Sequence, residues 1–147
     1  MTTTYQPTHR IRPLRELHVI DVMHPGMISC PPETPLPTVA RMMATYRVHA
    51  ILVHAHEDQT LDAGPWGVVN DADLVRAALD GELESSAAGQ IAATPVLVVG
   101  TTDTLDKAMQ LMVEHEASHL VVIERHARRP IGVVSTLDVA RAVAGLT

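Results

Sequence analysis

Two short stretches of the chain set a hydroxyl or amide side chain and a carboxylate at the same interval. In Gly132-Val133-Val134-Ser135-Thr136-Leu137-Asp138, a glycine and two β-branched residues run into Ser135, with Asp138 three positions on. Gly67-Val68-Val69-Asn70-Asp71-Ala72-Asp73 repeats the arrangement with Asn70 and Asp73. Each reads as a strand that ends where a helix begins. The free amides and positive dipole end of a helix start suit an anionic, phosphorylated ligand. The same spacing also satisfies a capping box, which only terminates the helix. One copy alone would be read as a cap; the duplication, and what surrounds each copy, favours a ligand.

The elements that must position these residues show a wider repeat. Leu36, Val39, Ala40 and Met43 form a helical stripe behind Thr34-Pro35, a good N-cap and first-turn pair. Leu105, Ala108, Met109 and Met112 form the same stripe 69 positions later behind Asp103, read as a second N-cap. The apolar strands Ala50-Ile51-Leu52-Val53 and His119-Leu120-Val121-Val122 keep that offset. Gly67 and Gly132, like Asp73 and Asp138, are 65 apart, which assigns four extra residues to the first half, within 57–64. Leu74, Val75, Ala78 and Leu79 lie on the last helix of the first half, and Val139, Ala140 and Val143 on that of the second. Gly81 and Gly145 stop these helices.

Each half therefore reads strand, helix, strand, turn, strand, helix. Residues 1–13 carry no apolar period and read as a tail. The first unit is 14–81, residues 82–86 are a polar linker, and the second unit is 87–147. From Leu14 to Met23 the pattern predicts a short helix ended by His24-Pro25-Gly26, with Met27 and Ile28 as a strand. Half a chain of 147 residues has too little interior to be comfortable alone, so the two halves are expected to pack together.

Composition excludes several classes. Aromatic residues are nearly absent (no Phe, one Trp, two Tyr), so the core is built from Val, Leu, Ile, Met and Ala, as in an α/β protein. A net charge of −6 with scattered basic residues argues against nucleic acid as a partner. The single Cys30 reads as a buried hydrophobe, and the polar start of the chain lacks a secretory core, so a cytoplasmic location is expected. No apolar run is long enough to cross a membrane. There is no Walker loop, nucleophile elbow or HExxH motif, and no catalysis is expected.

The order and repetition of these pieces resemble a tandem pair of cystathionine-β-synthase (CBS) domains, a Bateman module. The resemblance rests on Asp21-Val22-Met23, on Tyr46 to Val53 with its partner His115 to Val122, and on the two Gly-Val-Val turns followed by Asp73 and Asp138. It implies an α/β fold of two β-α-β-β-α repeats packed by pseudo-two-fold symmetry, and a regulatory module that forms homodimers. It also implies an adenosine-containing ligand (AMP, ADP or ATP, alternatively NAD or S-adenosylmethionine) in clefts between the repeats. Carried over, Ser135 and neighbouring Thr136 face phosphate and Asp138 holds the ribose hydroxyls. Asn70 and Asp73 take those roles in the first unit, where Asn70 departs from the usual Ser or Thr. His119, and His49 beside Ala50, stand at the position of a phosphate-facing basic residue. Thr94-Pro95-Val96 and Gly26-Met27-Ile28 would form the adenine walls. The alternative function is a structural dimerisation module whose motifs are only caps.

Other chemistry-bearing groups have plainer readings. His54 and His56 share a strand face near His49, but a closed zinc site needs about four ligands, so no metal is expected. Arg125, Arg128 and Arg129 surround His126 on a solvated turn, Trp66 corresponds to Ile131 as a packed strand residue, and the Met residues fill core or interface.

Overall fold

The computed structural model describes residues 13–54, 66–93 and 96–146. The expected insertion within 57–64, His56, Thr94 and Pro95 lie outside these residues, as does most of the expected tail. The elements in chain order are a 3-10 turn (Leu14–Glu16), α1 (Val19–Val22), β1 (His24–Pro25), β2 (Ser29–Cys30), α2 (Leu36–Tyr46), β3 (Ala50–His54), β4 (Trp66–Asn70) and α3 (Asp71–Leu79). They continue with α4 (Ala88–Ile91), β5 (Val98–Gly100), α5 (Leu105–Glu114), β6 (His119–Glu124), β7 (Arg129–Ser135) and α6 (Thr136–Val143). Two β-α-β-β-α units are present, β2-α2-β3-β4-α3 and β5-α5-β6-β7-α6, as the repeat requires.

Equivalent residues pair equivalently in both units. β2 runs parallel to β3 and β3 antiparallel to β4, with Ala50 opposite Asn70. β5 runs parallel to β6 and β6 antiparallel to β7, with His119 opposite Ser135. The amides of Asp71 and Thr136 bond the carbonyls of His49 and Ser118. Arg47 (φ 55) and Glu116 (φ 50) both take a left-handed conformation just beyond the helix preceding each central strand. The 69-residue offset is thus conserved down to backbone torsions.

The leading segment of each unit crosses to the other. β1 adds to the edge of the second sheet, giving the order β1-β7-β6-β5, with His24 opposite Val133 and Pro25 opposite Gly132. Leu17, Val19 and Val22 are buried among Val99, Leu105, Ala108, Met112, Leu120 and Val134. In return Ala88 is buried with Cys30, Val39, Ile51 and Val69, and Ala93 bridges to Val68. Between the sheets, Leu52 and Trp66 of the first unit meet Val121 and Ile123 of the second. Each such side chain contributes roughly 1.5–3 kcal/mol by leaving water, so this contact rivals the whole net stability of a small domain.

Five local expectations are corrected. The helix expected over Leu14 to Met23 is split, because extended Leu17 gives its carbonyl to Leu105 N–H while Val19 N–H bonds Asp103. The strand expected at Met27 and Ile28 falls on the neighbouring pairs His24–Pro25 and Ser29–Cys30. The N-cap of α2 is Pro35, one residue after Thr34, and the N-cap of α5 is Thr104, whose Oγ1 accepts from Lys107 N–H at 3.2 Å. Asp103 is thereby free to turn back toward Gly100 N–H (2.7 Å) and to pair with Lys107 and Arg125. Ala40 is exposed; Leu36, Val39 and Met43 alone bury that stripe.

Candidate functional site

Ser135 and Asn70 both act as caps. Asn70 Oδ1 accepts from Asp73 N–H, and Asp73 Oδ2 accepts from Asn70 N–H, each at 2.9 Å. Ser135 Oγ accepts from Asp138 N–H at 3.2 Å, and Asp138 Oδ2 accepts from Ser135 N–H at 2.8 Å. The bland reading of the spacing is therefore real in both halves. What separates the halves is the surroundings.

Asp138 is 2% exposed and lines a cleft of about 500 Å³. One wall is Pro25, Gly26, Met27 and Ile28; another is β3 with Val48 and His49; the rest comes from β6, β7 and α6. Both units contribute because the crossing segment carries residues 24–28 over the second sheet. Apart from Asp138 and Ser135 the floor is mostly aliphatic, including Ile51, Leu52, Leu120, Val121 and Val133.

Three histidines and two arginines rim this floor. His24 Nδ1 is 2.6 Å from Asp138 Oδ1, and Arg141 Nη1 donates to His24 Nε2 at 3.1 Å. The approach of His24 does not meet hydrogen-bond geometry, so Oδ1 is buried in close contact with the imidazole and has no hydrogen bond among the described residues. His49 Nδ1 lies 2.8 Å from Asp71 Oδ2, and this bond holds the Asp71 carboxyl below its usual range. His119, bonded to Ser118 Oγ at 2.9 Å, has its basicity lowered by desolvation, which outweighs the opposing pull of Asp71. Arg47 lines the cleft from the end of α2.

Of the residues singled out by sequence, Ser135, Asp138, His119, His49 and Ile28 meet at this cleft. Thr136 is exposed at the start of α6, with its N–H on Ser118 O, and is not among the lining residues. Asn70 and Asp73 sit at the start of α3, also away from it, with Asp73 3.4 Å from Arg76. Val96 packs half-buried against the central apolar contact, and Thr94 lies outside the described residues. Sequence reasoning missed His24, Arg47 and Arg141. The repeat register held a signal for Arg47, because its counterpart is the oppositely charged Glu116.

Among the described residues no three His, Cys, Asp or Glu side chains are disposed to hold a metal ion. His54 stacks on Trp66 at 4.2 Å between ring centroids. Burial raises the pKa of the Cys30 thiol, as expected of a packed side chain. Arg125 is drawn back to Asp103 rather than spread on a turn. No described helix is long and apolar enough to cross a membrane.

The sequence profile of the CBS domain matches the chain twice, over residues 19–80 and 88–145. The chain belongs to the CBS domain family. Hypoxic response protein 1 of Mycobacterium tuberculosis is 24% identical over 123 residues, which span 82% of this chain and 81% of that protein. Its crystal structure with two coordinated zinc ions superposes with a TM-score of 0.65 at 24% identity, covering 84% of this chain and 97% of that one. A CBS domain protein from Pyrobaculum aerophilum in complex with AMP gives a TM-score of 0.74 at 22% identity, covering 88% and 98%. A CBS domain pair in complex with 5′-methylthioadenosine and S-adenosyl-L-methionine gives 0.75 at 17% identity, covering 88% and 98%. The fold is that of a CBS pair.

Proposed function

We propose that this CBS pair is a regulatory module that binds an adenosine-containing ligand in the cleft beneath His24 and reports its occupancy to a partner protein. The observation that carries the reading is Asp138: a buried carboxylate on a mostly aliphatic cleft floor, with one oxygen lacking a hydrogen bond among the described residues. Ribose hydroxyls supply the donors that oxygen needs, and the aliphatic walls suit a purine face. AMP, ADP and ATP are the first candidates, with NAD and S-adenosylmethionine as the alternatives. The complexes of structurally similar CBS proteins with AMP and with S-adenosyl-L-methionine support that choice. The module acts without catalysis, in the cytoplasm, and without nucleic acid or membrane as a partner.

The competing reading is a homodimerisation module that holds no ligand. Val75, Leu79, Val143 and Leu146 are all more than 60% exposed on or beside α3 and α6, which favours a second copy of the chain as a partner in either reading. Calorimetric titration with AMP, ATP, NAD and S-adenosylmethionine decides between them. Heat with at least one ligand, abolished by Asp138→Ala, supports the sensor; no heat with any of the four supports the structural role.

A further inference from the structure

The carboxylate oxygen that faces the cleft is covered. Asp138 Oδ1 is buried, and the group standing on it is the His24 imidazole, with Nδ1 at 2.6 Å. The His24 side chain is itself 59% exposed, against 2% for Asp138, so the ring lies over the carboxylate from the solvent side. Arg141 Nη1 donates to His24 Nε2 at 3.1 Å. A guanidinium has no acceptor, so Nε2 carries the lone pair and the ring proton sits on Nδ1, the nitrogen nearest Asp138. Arg141 Nη1 is also 3.9 Å from Asp138 Oδ1, and α6 therefore meets the ring at both nitrogens. The other two cleft histidines have different partners, Asp71 for His49 and Ser118 for His119.

The first unit's carboxylate has no such cover. His24 stands opposite Val133 on β7, and Ala93 stands opposite Val68, the equivalent residue of β4. An alanine side chain reaches no carboxylate. Asp73 is accordingly 19% exposed, with Arg76 beside it at 3.4 Å.

We propose that His24 is an autoinhibitory latch: it occupies the Asp138 oxygen that the ribose diol of an adenosine ligand must take, and binding requires the imidazole to swing away. This rests on the adenosine reading above. Oδ1 cannot accept from the diol while the imidazole stands on it. Rotation of an exposed side chain is enough to clear it, so β1 can stay paired with β7. A ligand binds only the unlatched molecules, and its apparent affinity is reduced by the fraction that is unlatched. The latch thereby sets the ligand concentration at which the Asp138 cleft responds.

The test is calorimetric titration of the full chain and its His24→Ala variant with AMP and with 2′,3′-dideoxy-AMP, which lacks the diol. Ala93 shows that alanine suits this bridging position, and thermal unfolding verifies that the variant folds. The expected result is AMP binding about five- to tenfold tighter in His24→Ala, as for a latch closed in most molecules, with no gain for the dideoxy compound. AMP binding detected in the variant alone would support the latch equally. Unchanged or weaker AMP binding in the variant, or an equal gain for both compounds, would overturn the latch while the adenosine reading stood. AMP binding by neither protein would overturn the latch and remove the first candidate of the adenosine reading with it.

Discussion

His24 and Asp138 come from opposite ends of the sequence and meet at 2.6 Å between imidazole and carboxylate. The contact exists because β1 leaves its own unit and pairs with β7, laying His24 over the start of α6. Asp138 thereby serves the helix with one oxygen and the cleft with the other. Asp73, its repeat counterpart, has the first role and an exposed partner, Arg76.

Truncating the two carboxylates should therefore have unequal effects. Asp138→Ala removes a cap and strands Ser135, and is expected to cost about 1–3 kcal/mol in urea unfolding. Asp73→Ala, at a more open site, should cost about 0.5–1 kcal/mol. Equal costs would mean that burial of Asp138 adds nothing to its cap.

Gly132 tolerates no side chain. A β-carbon there would overlap the His24 carbonyl oxygen and Met23 Cε, and the first of these is backbone that cannot swing away. Gly132→Ala is expected to destabilise by about 1–3 kcal/mol and to loosen the first segment from the second sheet. Amide hydrogen exchange on residues 19–25 reads the loosening; unchanged protection would contradict it.

Asp103 gives the fold a dependence on acid pH. Burial alone would raise its pKa, but the Gly100 N–H bond, Lys107 and Arg125 outweigh burial and leave it below the ordinary carboxylate value of 3.8. The folded state therefore binds fewer protons than the unfolded one, so this stabilisation is complete above that value and lost as pH falls through the lower folded pKa. Urea midpoints measured from about pH 5 down to about pH 3 should fall less steeply in Asp103→Asn than in the parent. Parallel curves would show that Asp103 does not contribute.

The exposed apolar residues of α3 and α6 should hold two copies together. Leu79→Lys with Val143→Lys leaves the core untouched, since both side chains are more than 60% exposed. Sedimentation is expected to show a dimer for the parent and a monomer of unchanged helicity for the double variant. A parent that sediments as a monomer would refute the dimer.

Most of the fold was legible because the chain states it twice. The offset of 69 aligned helix stripes and central strands, and the pairing of Ala50–Val53 with β4 matches that of His119–Val122 with β7 position by position. Less legible were features set by a single long-range contact. A two-residue strand such as β1 has no period to read, and its pairing with β7 is a tertiary choice; His24 was missed as a cleft residue for that reason. The caps at Pro35 and Thr104 each fell one position after the residue expected, because Thr34 O is taken by Ala88 N–H and Asp103 by Gly100. Arg47 and Arg141 carry no motif and gain meaning only from the wall they face.

The crossing of the two leading segments bears on how the molecule could ever be divided. A cut at the polar stretch around residue 84 would follow the repeat in the sequence, yet it would strip α1 and β1 from the fragment that needs them and α4 from the other. Neither piece would own a finished interior. Mixed in one tube, however, the two would each hold what the other lacks, and reassembly from complementary fragments becomes the natural behaviour of such a chain.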